Sequence, residues 1–233
     1  MAKQSWLRHI LNRFNPLQRE QGAVLKKFYD TMGFVHFGKV HQHDDEYDAI
    51  RGFSSTLTHR DDHFAVGAYN GHDIRITNRT DTTVGGKGPA RLQILTIIEV
   101  HLHVRNMPHF FFLPTGTKGD EYERLFITQS FMQPIDSVGM GAQYSPEFHG
   151  RYQILSRITK APDVERLLTS PTIVGIGARF WPHGIEIEHG RLYVYIPDEK
   201  LTQKKLERAL ESALWLADRL VDTHEKIQAQ QEQ

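Results

Sequence analysis

Residues 92–104 read Leu-Gln-Ile-Leu-Thr-Ile-Ile-Glu-Val-His-Leu-His-Val. Leu92, Ile94, Ile98, Val100, Leu102 and Val104 hold even positions, while Gln93, Glu99, His101, His103 and Arg105 hold odd ones. Side chains alternate across a strand, so this spacing predicts a strand with an apolar side toward a core and a polar side away from it. Leu95 and Ile97 break the alternation. They predict that part of the strand is covered on both faces.

Turn chemistry extends the β reading outward. Asn70-Gly71 suits a type I′ hairpin, whose two central residues both need positive φ. It joins a strand near 63–69 to one near 72–78. Asp81 to Pro89 is rich in Gly and Thr and predicts a loop. Phe110 to Leu113 predicts a short partner strand closed by Pro114. His189-Gly190 predicts a second hairpin. Its two-residue turn sets Glu188 opposite Arg191, Ile187 opposite Leu192 and Ile185 opposite Val194, so charge pairing and apolar facing agree on one register.

Helical spacing appears at both ends. Trp6, Leu7, Ile10, Leu11 and Phe14 fall on one helical face, and Pro16 ends or kinks that helix. Val24, Leu25, Phe28 and Tyr29 mark a second helix over 17–31, with Gly33 as its stop. Leu206, Leu210, Ala213, Leu214, Ala217, Leu220 and Val221 mark a helix over 201–224, with a frayed polar tail at 228–233. The fold expected is therefore α+β: an antiparallel sheet core with N-terminal helices and a C-terminal amphipathic helix packed on it. The division expected is a helical arm at 1–34 and a single α+β domain at 35–226. The loop from Gly139 to Gly150 is the best candidate for any further boundary.

Composition narrows the function. Lys and Arg total 28, as do Asp and Glu, so no nucleic-acid partner is expected. The chain has no cysteine, which removes disulfides, thiolate metal sites and a cysteine nucleophile. No apolar run approaches the ~20 residues that span a bilayer. The first residues lack the apolar stretch of a secretory leader. A cytoplasmic protein is expected, at a membrane periphery if its first helix docks there.

Histidine is abundant, at 14 of 233 residues. Glu99, His101 and His103 share one face of the predicted strand, and zinc or iron sites use such sets with a further ligand from elsewhere, here His109. The alternative is the polar outer face of a sheet. The cupin pattern adds a Glu four or five residues after its His-x-His pair, where this chain has Met107 and Pro108. His41, His43, Asp44 and Asp45 have ligand chemistry but no motif spacing, and read as a solvated loop. Gly85-Gly86-Lys87-Gly88 lacks the remaining P-loop residues and leads into a strand, not a helix. Fingerprints for nucleophile elbows, kinases and dinucleotide binding are missing.

The first helix is the most polarised feature. Residues 1–40 carry seven Lys or Arg against only Glu20 and Asp30. A basic amphipathic helix bearing Trp6, Leu7, Arg8, Ile10, Leu11, Arg13 and Phe14 can lie on an anionic membrane or dock on a protein partner; it can also pack on its own sheet.

The order MPHFFFLP (107–114), EYERLF (121–126), GRYQIL (150–155), VERLLTSP (164–171) and GIEIEHGRLYVY (184–195), before a closing amphipathic helix, resembles uncharacterised bacterial proteins of unknown function, some of them membrane-tethered. The resemblance spans about residues 63–220. It implies no activity, cofactor or catalytic residue, and it favours a non-enzymatic protein acting near the membrane. Two function classes lead, ahead of a third in which the basic arm binds nucleic acid. One is a non-catalytic interaction module without a cofactor, binding a protein partner or an anionic membrane through residues 6–14. The other is a zinc- or iron-dependent enzyme using Glu99, His101, His103 and His109.

Overall fold

The computed structural model describes residues 16–40, 60–83, 91–116, 122, 131–135, 144–197 and 200–231. Nine strands among them form one antiparallel sheet. They are β1 (Val35–Val40), β2 (Arg60–Tyr69), β3 (His72–Thr83), β4 (Arg91–His101), β5 (Phe110–Pro114), β6 (Gln133–Pro134), β7 (Tyr152–Ser156), β8 (Gly184–Glu188) and β9 (Arg191–Pro197). Their spatial order is β1-β2-β3-β4-β9-β8-β5-β7-β6. The helices are α1 (Pro16–Met32), α2 (Pro146–His149), α3 (Ala161–Leu167), α4 (Ser170–Arg179) and α5 (Gln203–Gln231). The expected α+β architecture, an antiparallel sheet with a long closing helix, is what the chain adopts.

Both hairpins keep the expected register. Tyr69 pairs with His72, and Asn70 and Gly71 both have positive φ (49° and 83°). Ile185, Ile187 and Glu188 face Val194, Leu192 and Arg191.

The helices lie on one face. Leu25, Phe28 and Tyr29 of α1 and Leu206, Leu210, Ala213 and Leu220 of α5 are buried with Ile76, Ile98, Val100, Ile187 and Val194 of the sheet. Gly33 stops α1 with φ +71°, and the Phe34 amide donates back to the Tyr29 carbonyl at 2.9 Å, closing a Schellman cap.

The opposite face carries a second apolar cluster. Phe64, Leu95, Ile97, Phe111, Tyr193 and Tyr195 are buried there beneath Tyr122 and Met132. Leu95 and Ile97 therefore interrupt the alternation because the middle of β4 has apolar cover on both sides.

The structure corrects several boundaries. β4 ends at His101, not Val104; beyond it His103 and Asn106 take left-handed φ (54° and 63°) and the chain leaves the sheet. The polar side of β4 is not uniformly wet, because Glu99 is only 2% exposed. β3 continues to Thr83, into the stretch expected to be a loop. β5 pairs with β7 and β8, both distant in sequence. α5 runs to Gln231, through most of the tail expected to fray.

The segment after β4 folds over the β8–β9 turn. The Leu102 amide donates to the Gly190 carbonyl at 2.9 Å. Gly190 has φ +71°, and a Cβ there would collide with the Val104 carbonyl oxygen. Gly190→Ala is therefore expected to cost roughly 1–3 kcal/mol, seen as a lower urea midpoint. Gly71→Ala meets no atom within 4 Å and carries only the φ penalty. Equal losses in the two variants would show that the Val104 contact has no energetic weight.

Candidate functional site

Period two places the odd residues of β4 and β9 and the even residues of β8 on the sheet face away from the helices. On the β3–β4–β9 side this produces a charged cleft. Arg75 stands opposite Glu99 across β3–β4, and His101 stands opposite Arg191 across β4–β9. Glu99 Oε1 receives Arg75 Nη1 at 3.2 Å and lies 3.7 Å from Arg191 Nη1. Two guanidinium groups thus compensate a carboxylate that burial would otherwise penalise heavily. The cleft has a volume of about 380 Å³ and is lined by Val66, Asp73, Arg75, Glu99, His101 and Arg191, among others.

The His101 ring, which lines it, and the His103 ring have centroids 4.2 Å apart. His103 Nε2 lies 3.3 Å from Asp73 Oδ2. Burial, with the nearby His103 and Arg191 charges, lowers the His101 pKa and favours its neutral imidazole.

A second polar group lies further along the same face, between β5, β8 and β9. Glu186 is fully buried. His109 Nε2 is 2.7 Å from Glu186 Oε1, and the Tyr195 hydroxyl donates to Glu186 Oε2. His109 Nδ1 is 3.7 Å from Glu188. The Ser156 hydroxyl donates to the His109 carbonyl at 2.6 Å. Burial alone pulls the His109 pKa down, but the Glu186 hydrogen bond and the Glu186 and Glu188 charges raise it overall. Glu188 is raised by burial and by Glu186. The geometry describes an imidazole held between two carboxylates.

The four candidate ligands thus separate. His101 and His103 gather with Asp73, and His109 gathers with Glu186 and Glu188. Glu99 belongs to neither trio and meets Arg75 and Arg191 instead. Sequence reading missed Asp73, Glu186 and Glu188 as members of these groups. A signal for two of them existed: with Ile185 and Ile187 assigned to the apolar face, Glu186 and Glu188 had to share the other. Trp6, Leu7, Arg8, Ile10, Leu11, Arg13 and Phe14 lie outside the described residues, as do His41, His43, Asp44, Asp45 and residues 85–88. No helix among the described residues is long and apolar enough to cross a membrane.

No family model matches the chain, and no curated protein matches it by sequence. A solved structure, that of the mycobacterial trehalose monomycolate transport factor A, TtfA, is similar in fold. Its TM-score is 0.55 at 10% identity, over 85% of this chain and 93% of that chain.

Proposed function

We propose that this protein is a non-catalytic interaction module serving a transport assembly at a membrane surface. The observation that carries the reading is the fold shared with a transport factor over 85% of this chain and 93% of the other. Three buried carboxylates of the sheet support it, because each is engaged with neighbouring side chains. Glu99 meets Arg75 and Arg191, Asp61 meets Arg79, and Glu186 meets His109 and Tyr195. That is the arrangement of a scaffold stiffened from within.

The α+β body is held to an anionic bilayer by residues 1–15. Trp6, Leu7, Ile10, Leu11 and Phe14 supply the apolar side of the contact, while Arg8 and Arg13 supply the charge. Burying an aromatic side chain contributes roughly 1.5–3 kcal/mol, so losing two is a large deficit.

The full chain is expected to co-sediment with phosphatidylglycerol-containing vesicles. Trp6→Ala/Phe14→Ala and Arg8→Glu/Arg13→Glu variants are each expected to bind at least about tenfold more weakly, with binding by the wild type falling as salt rises. Equal sedimentation of the wild type and both variants would remove the membrane contact. So would a wild-type chain that stays in the supernatant, and docking on a protein would then take its place.

A further inference from the structure

Two histidine–carboxylate trios occur among the described residues, and one distance separates them in kind. His109 and Glu186 stand at 2.7 Å, the spacing of a charge-assisted hydrogen bond. That imidazole also reaches its two carboxylates through different nitrogens. No single ion can sit between all three groups without breaking this arrangement.

The other trio is different. His103 Nε2 and Asp73 Oδ2 stand at 3.3 Å. Two ligands each about 2.0–2.2 Å from a tetrahedral zinc ion are separated by about 3.4 Å. One ligand atom from each of Asp73, His101 and His103 falls within 4.8 Å of the others. The two rings lie close together, at 4.2 Å.

We propose that Asp73, His101 and His103 form a binding site for a divalent transition metal, with zinc the ion best suited to two imidazoles and a carboxylate. Asp73 and His101 also line the cleft that holds Arg75 and Arg191. A three-ligand zinc keeps a fourth position for water or an anionic group, and the cleft is where such a group would be received. The site is independent of the membrane contact proposed for residues 1–15. It uses His101 and His103 as the strand pattern suggests, with Asp73 from β3 in the place that pattern gives to Glu99.

The test is a calorimetric titration of the untagged full chain with zinc, repeated with cobalt while following its visible absorption. One ion per chain is expected, with the absorption of a tetrahedral cobalt site. Asp73→Ala and His101→Ala/His103→Ala should weaken binding by more than the roughly 10–100-fold typical of outer-shell changes. His189→Ala, on a ring whose side chain is 88% exposed, should leave it unchanged. His103 and Asp73 side chains are 54% and 66% exposed, so these variants are expected to fold, and circular dichroism checks that they do. Equal titration of the wild type and the double-histidine variant would assign the ion to other histidines and overturn the site. Absence of stoichiometric binding by the wild type would do the same.

Discussion

Replacing Arg79 by Met is expected to lower the free energy of unfolding by about 3–5 kcal/mol, a large share of the roughly 5–15 kcal/mol typical of a folded domain. Arg79 and Asp61 are directly opposite on β3 and β2 and are 1% and 3% exposed. The pair is bidentate, with Nε to Oδ1 and Nη2 to Oδ2 both at 2.7 Å. Removing the guanidinium leaves a buried carboxylate without its main compensating charge, and water cannot easily replace it. The cost arises from that orphaned charge more than from the attraction lost. It follows that Asp61→Leu/Arg79→Met should recover most of the loss, because apolar pairs often replace buried ion pairs at little cost. Urea unfolding of the wild type, both single variants and the double variant measures this directly. A loss under about 1 kcal/mol in Arg79→Met would mean that the pair behaves like one exposed to solvent.

Glu186→Ala is expected to cost a similar 3–5 kcal/mol near pH 6, and less near pH 9. The fully buried Glu186 carboxylate receives the Tyr195 hydroxyl and His109 Nε2, so its removal strips both groups of a partner. The pH dependence follows from the His109 shift. Burial opposes the charged ring, the Glu186 hydrogen bond and the two carboxylates favour it, and the outcome is a pKa above the ordinary 6.5. A histidine whose pKa is raised by folding stabilises fully below its unfolded value, and that stabilisation is lost as pH rises through the folded value. Glu188 acts in the same direction. Its raised pKa means the folded state loses stability as pH climbs from the ordinary 4.5 through the shifted value. The stability gap between wild type and His109→Gln should therefore be wider at pH 5.5 than at pH 9. Urea midpoints of the wild type, Glu186→Ala and His109→Gln at both pH values check this. A gap that stays flat, or widens with pH, would show that His109 is not held as an imidazolium by its carboxylates.

The local half of the fold is readable from residues because its causes are local. Asn70-Gly71 and His189-Gly190 set their hairpins through positive φ and two-residue turns, and alternation then carries the register down each strand. The stripe of Leu25, Phe28 and Tyr29 and the stop at Gly33 likewise specify α1 within a few turns of chain. The candidate site was legible only in part. His101 and His103 were placed side by side by their spacing, while Asp73 comes from the start of another strand and leaves no mark near them.

Alternation alone established that β4 has two unlike faces and that Leu95 and Ile97 disturb one of them. It carried no information on what covers either face. Only the tertiary structure brought β9 beside β4 and β8 beside β5, setting Arg191 near Glu99 and His109 against Glu186. A carboxylate on a strand looks solvent-bound until its counter-charge is found. Here Arg191 arrives from a strand remote in sequence and His109 from just before β5, so burial of Glu99 and Glu186 is a property of the assembled sheet and not of any segment within it.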